Sequence, residues 1–168
     1  FSDYKSIFKG YERKQKLAED DIAIPVNTPI VIVGMGRVGM GAHRAMTQHS
    51  TEKVWGMDAE KAKVDKLNAM GIDCYIGDPE DAYFWEDNNF GQIKLVLLAL
   101  PSLQDIINVT RIIRSSKYDG KIAAIARYDD EKHELESLGI DKVFNFYTEA
   151  GVGFADESIA LIHPTIKA

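Results

Sequence analysis

Val31–Asp58 reads VIVGMGRVGMGAHRAMTQHSTEKVWGMD, and the arrangement of apolar and glycine residues within it decides the fold. An apolar run, Ile30–Val33, ends in Gly34-x-Gly36-x-x-Gly39, passes into a helix-like segment and reaches a second apolar piece closed by Asp58. The pattern predicts strand, tight turn, helix, strand and a carboxylate at the second strand's tip. Gly34 permits the turn, Gly36 lacks the Cβ that keeps a pyrophosphate off the backbone, and Gly39 lets the helix pack against the strand. The helix start would then offer free N–H groups and the positive end of its dipole to phosphate oxygens. Asp58, about twenty residues beyond the glycines, is placed to accept hydrogen bonds from ribose hydroxyls, and its charge disfavours a 2′-phosphate. NAD(H), AMP or another adenine nucleotide is the expected ligand; a purely structural glycine turn is the other reading.

The surrounding sequence fits that frame. Strand and helix patterns alternate: Arg37–His49 is expected to be helical with Val38, Ala42, Ala45 and Met46 inward, Val54–Met57 extended, and Ala59–Met70 helical with Val64, Leu67 and Met70 inward. Gly71 should end that helix. Short strands follow at Cys74–Ile76 and Leu95–Leu100, the second a continuous apolar run suited to a sheet covered on both faces, with a turn of helix at Ala82–Trp85 between them. Helix Leu103–Ser115, strand Lys121–Ala126, helix Asp130–Leu138, strand Lys142–Phe146 and a final helix within Gly151–Ile162, interrupted at its glycines, complete the series. Such alternation predicts an α/β, doubly wound, Rossmann-like parallel sheet with ligands outside the carboxyl ends of its strands. Residues 30–168 are expected to form that nucleotide-binding domain. Residues 1–29 read as a basic amphipathic helical arm, with Tyr4, Ile7, Phe8 and Tyr11 on one face, and a linker marked by Pro25 and Pro29.

Composition narrows the function classes. The 168 residues suffice for one domain with a core and not for a dinucleotide domain plus a full substrate domain. A hydrophobic content of 45%, a charged content of 27% and no long apolar run describe a globular protein rather than a membrane segment. The net charge of −6 speaks against a nucleic-acid partner. The single cysteine, Cys74, fits a reducing cytoplasm and a core position. The chain starts at Phe1 and reads as a piece of a longer protein, without a signal peptide in view.

Several ordered motifs resemble the RCK/KTN (Trk-type amino-terminal) regulatory domains of potassium channels, transporters and Kef-type cation/proton antiporters. They are VIVGMGRVG at Val31–Gly39, the acid Asp58, YIGDPED at Tyr75–Asp81, LVLLALPS at Leu95–Ser102 and AIAR at Ala124–Arg127. Two departures stand out: Pro79-Glu80 replaces the Ala-Thr frequent after the Gly-Asp pair, and Ala99-Leu100-Pro101 lacks the usual polar residues. The resemblance implies a ligand-binding set of Gly34, Met35, Gly36, Arg37, Val38, Gly39, Asp58, Ala59, Gly77, Asp78, Pro79, Ala99, Leu100 and Arg127. In that set Asp58 holds the ribose, Arg37 a phosphate, Asp78 the adenine side, and Arg127 a second phosphate or a dimer partner. It also implies a homodimer at the cytoplasmic face of the inner membrane, joined to or associated with a potassium or other cation transporter such as a Kef-type efflux antiporter. The residues themselves leave other roles open: Arg37 solvated at a helix start, Asp78 capping the next helix with Pro79 at its first position, Arg127 in a surface ion pair.

Catalytic signatures are weak. Tyr128-x-x-x-Lys132 with Ser115 upstream matches the catalytic set of short-chain dehydrogenases only in type, since Asp129 and Asp130 open a new helix there. His43, His49, His133 and His163 are scattered, and no metal-spaced His/Cys set appears. A regulatory domain that is not an enzyme is therefore expected, with no metal; the alternative is the cofactor-binding half of an NAD-dependent dehydrogenase.

Overall fold

A computed structural model describes residues 28–86 and 92–163. The expected amphipathic arm and all of its linker but Thr28 and Pro29 lie outside the described residues. Six strands, β1 (Ile30–Val33), β2 (Val54–Asp58), β3 (Cys74–Ile76), β4 (Leu95–Leu98), β5 (Lys121–Ala126) and β6 (Lys142–Asn145), form one parallel sheet in the order β3-β2-β1-β4-β5-β6. The helices are α1 (Arg37–His49), α2 (Lys61–Ala69), α3 (Ala82–Glu86), α4 (Leu103–Ser115), α5 (Asp129–Ser137) and α6 (Phe146–Ile159). The Rossmann-like, doubly wound architecture read from the alternation is the one observed.

Strand β1 sits mid-sheet, paired with β2 from Ile30↔Val54 and with β4 from Ile30↔Leu95. Alternation along it sends Val31 and Val33 to one face and Ile32 to the other, and all three are buried. The first face packs with Trp55, Met57, Val96, Leu98 and the α4 residues Ile106, Val109 and Ile113; the second with Met35, Val64, Leu67 and Cys74. Burial on both faces explains why β1 and β4 read as uninterrupted apolar runs.

Details of the helices depart from the periodicity. Ala45 is exposed, while Met40, Ala42 and Met46 pack on the sheet. The axis of contact in α1 runs through buried Gly39, and about 100° per residue puts Ala45 roughly 120° away from it. Met70 is 60% exposed rather than inward, because α2 has ended: Gly71 takes φ +80°, the expected stop. Strand β4 ends at Leu98, although the Ala99 N–H still donates to the Val33 carbonyl at 2.8 Å. The last helix begins at Phe146 and runs unbroken through Gly151 and Gly153, started by Asn145, whose side-chain oxygen accepts from the Thr148 N–H at 3.3 Å. None of its residues is buried.

Candidate functional site

Chain direction reverses its lateral progress between β1 and β4, and in such sheets the crevice at that switch point, beyond the carboxyl ends, is where ligands fit. A cavity of about 590 Å³ opens there, within the range of small-molecule sites. Its walls come from the ends of five strands and the turns after them: Val33, Gly34 and Gly36 at β1, Asp58 and Ala59 at β2, Asp78–Glu80 after β3, Ala99–Pro101 after β4 and Arg127 after β5.

The three glycines do different work. Gly34 takes φ +91°, and a Cβ on it would lie 2.8 Å from the Ala99 carbonyl oxygen. A Cβ on Gly39 would lie 1.9 Å from the Gly34 carbonyl oxygen, so helix α1 rests directly on the turn. A Cβ on Gly36 would meet nothing within 4 Å; it would project into open space at the start of α1. No side chain caps that N-terminus and no acidic residue lies in its first turn, so its dipole is left for an anion. The turn thus leaves open space beside an uncapped helix start. Arg37, at the first helical position, is exposed beside the cavity and has no ion-pair partner among the described residues.

Asp58 occupies the tip of β2 with its side chain only 10% exposed. Its Oδ2 accepts from the Met35 N–H at 2.9 Å and from Lys63 Nζ at 3.0 Å; its Oδ1 accepts from the Glu60 N–H at 3.0 Å. Burial pushes this carboxyl up, the N–H groups of Glu60 and Met35 and the Lys63 ammonium pull it down, and it ends below the ordinary carboxylate value. The Asp58 hydrogen bond in turn lifts Lys63 above the usual lysine range. Lys63 also approaches Glu60 Oε2 at 3.4 Å.

Of the residues read from sequence, Gly34, Gly36, Arg37, Val38, Asp58, Ala59, Asp78, Pro79, Ala99, Leu100 and Arg127 line this cavity together. Met35, Gly39 and Gly77 do not. The Met35 side chain is buried beneath β2, within 3 Å of where a Gly56 Cβ would stand, and only its N–H serves the site, through Asp58. Asp78 does not cap α3, which begins at Ala82; its Oδ1 accepts from the Glu80 N–H at 2.9 Å and closes a turn. The Arg127 N–H donates to Glu131 at 2.8 Å, and its guanidinium makes no ion pair among the described residues. The sequence reading missed Lys63, Glu80 and Asp105, which also line the cavity. A lysine in the first turn after the strand-end acid was the available signal for the first of them.

The cavity carries three cationic side chains, Arg37, Lys63 and Arg127, against Asp58, Asp78, Glu80 and Asp105. None of its lining residues is His, Cys, Ser or Tyr. Tyr128 and Lys132 stand elsewhere: Tyr128 packs against Tyr147 and Lys132 lies 3.9 Å from Glu136. Cys74 is buried, which pushes its thiol up to about 11 and leaves it unreactive. No group of metal-ligating residues occurs among the described residues, and no described helix is long and apolar enough to cross a membrane.

Comparison with known proteins gives a consistent result. The family model of the TrkA-N domain matches residues 30–146. Among solved structures, the NAD(P)-binding domain of an exopolyphosphatase-related protein from Archaeoglobus fulgidus is similar with a TM-score of 0.71 and 23% identity, over 77% of this chain and 96% of that one. The GsuK channel bound to NAD gives a TM-score of 0.64 at 19% identity, over 82% of this chain and 25% of the channel chain. The Shewanella denitrificans Kef CTD in AMP-bound form gives 0.64 at 17% identity, over 79% of this chain and 80% of that one. Such identities show a shared fold. Among curated protein sequences, none matches the chain.

Proposed function

The chain belongs to the TrkA-N domain family, and on that premise we propose that its cleft binds an adenine nucleotide, NAD(H) or AMP, as a regulatory signal rather than a reactant. The observation that carries this reading is Gly36: its missing side chain leaves open space directly before an uncapped helix start, beside Arg37, which has no ion-pair partner among the described residues. A phosphate there would meet backbone N–H groups and a guanidinium capable of bidentate contact. Asp58 would receive the ribose, Asp78 and Pro79 would flank the adenine side, and Arg127 would meet a second phosphate or a partner copy. The AMP-bound Kef CTD and the NAD-bound GsuK channel, which share the fold, support both the ligand class and the output. In this reading the domain works as a homodimer at the cytoplasmic face of the membrane, where it gates a linked or associated potassium or other cation transporter. Gating requires that the nucleotide favour one conformation, and the transporter's state then alters nucleotide affinity by the same factor.

Gly36→Val tests the site without disturbing the scaffold. The isopropyl group enters open space, so the unfolding free energy should stay within about 0.5 kcal/mol of wild type while AMP and NADH affinities fall by about tenfold in calorimetric titration. Normal binding by a folded Gly36→Val protein would remove the glycine turn from phosphate recognition.

A further inference from the structure

Lys63 alters what the acid at the tip of β2 selects. An ionised carboxylate offers about four acceptor positions. Asp58 spends three of them within the chain, on Met35 N–H, Lys63 Nζ and Glu60 N–H. One position on Oδ1 is left for a sugar hydroxyl, whereas gripping two neighbouring hydroxyls requires the ammonium to leave. The charge that should repel a phosphate on the 2′ oxygen is also neutralised by an ammonium 3.0 Å away.

We infer that Lys63 is the specificity-determining side chain of this cleft and admits adenosine ligands phosphorylated on the ribose, of the NADP(H) type, beside their unphosphorylated counterparts. The inference rests on the nucleotide reading above and extends it to a second ligand class. Lys63 lines the cavity and keeps about a third of its side chain in solvent, so its ammonium has room to move from Asp58 to a phosphate dianion. Asp58 is not stranded by that movement, because the two backbone N–H donors of Met35 and Glu60 remain on it. Glu60, 3.4 Å from Lys63 and with 63% of its side chain exposed, is the other acid among the described residues that pairs with the ammonium, and water screens it. With a bare ribose the ammonium stays on Asp58; with a phosphorylated one it becomes the phosphate's partner.

The test compares AMP with adenosine 2′,5′-bisphosphate by calorimetry on the 168-residue chain. The wild type should bind both, with affinities within about tenfold of each other. Lys63→Met should lower bisphosphate affinity by about tenfold more than AMP affinity, and Glu60→Gln should raise it. Lys61→Met is the control: Lys61 is exposed, pairs with Asp65 at 2.8 Å and is not in the cavity wall, so it removes one charge nearby and should leave the ratio of affinities unchanged. An unchanged ratio in folded Lys63→Met, or a wild type that takes AMP and refuses the bisphosphate, overturns the assignment to Lys63 alone. A wild type that takes neither overturns the nucleotide site and this inference with it.

Discussion

Asp58 has a structural task of its own within the chain. Its carboxylate ties the turn after β1 to the first turn of α2, through Met35 N–H and Lys63. Because its folded value lies below the ordinary one, it stays ionised where the same group in the unfolded chain has begun to take up protons. The resulting stability is fully present above the unfolded value of about 3.9 and is lost as pH falls through the folded value. Asp58→Asn should therefore be less stable than wild type near pH 6, with the gap between their urea midpoints closing toward pH 3. A constant gap would mean that the charge does not carry the contribution. The strand-end acid itself was legible, since its place after an apolar run is a sequence property. Lys63 was legible only as a position near that acid: its pairing depends on how α2 is set after Glu60, and α2 is held by the packing of Val64 and Leu67.

At the level of elements, the glycine turn and α1 are one unit. Gly39→Ala would put a Cβ 1.9 Å from a backbone oxygen with no flexible neighbour to yield, so a loss of at least about 1–3 kcal/mol in chemical denaturation is expected. The contrast with Gly36 separates a glycine that the fold needs from one that leaves room for a ligand. Helix α6 gives the opposite lesson about the same residue type. Gly151 and Gly153 suggested a break, yet both are exposed, each leaves open space around its Cα, and the helix passes through them. Gly151→Ala should stabilise the protein by about 0.5–1 kcal/mol, read as a higher denaturation midpoint, if α6 keeps its present form. Helix starts and stops were legible where a glycine takes positive φ, as at Gly71 and Gly139, and illegible where glycine merely occupies a helical turn.

For the molecule as a whole, the strand order sets the site. The two halves of the sheet meet at β1 and β4, and the cavity takes lining from both, with Arg37 and Asp58 on one side and Leu100 and Arg127 on the other. A nucleotide bound there would bridge them and favour the folded state by about 2.7 kcal/mol at a free concentration one hundred times its dissociation constant. AMP should accordingly raise the thermal midpoint of wild type more than that of Gly36→Val, for which a tenfold weaker affinity leaves about 1.4 kcal/mol at the same concentration. The sheet and most of the cavity wall were legible because β/α alternation fixes which loops share an edge. The aim of individual side chains, such as Met35 into the core, was not.

On the proposed nucleotide reading, the amide that links Met35 to Asp58 couples the carboxylate meant for the sugar to the backbone turn meant for the phosphate. Any occupant that draws the carboxylate toward itself slackens or tightens the very backbone on which its own phosphate must land. If the cleft takes AMP as proposed, adenosine and inorganic phosphate supplied as separate pieces should fall short of AMP by more than the cost of joining them in a calorimetric titration, and equal shortfall would mean that the two ends act independently.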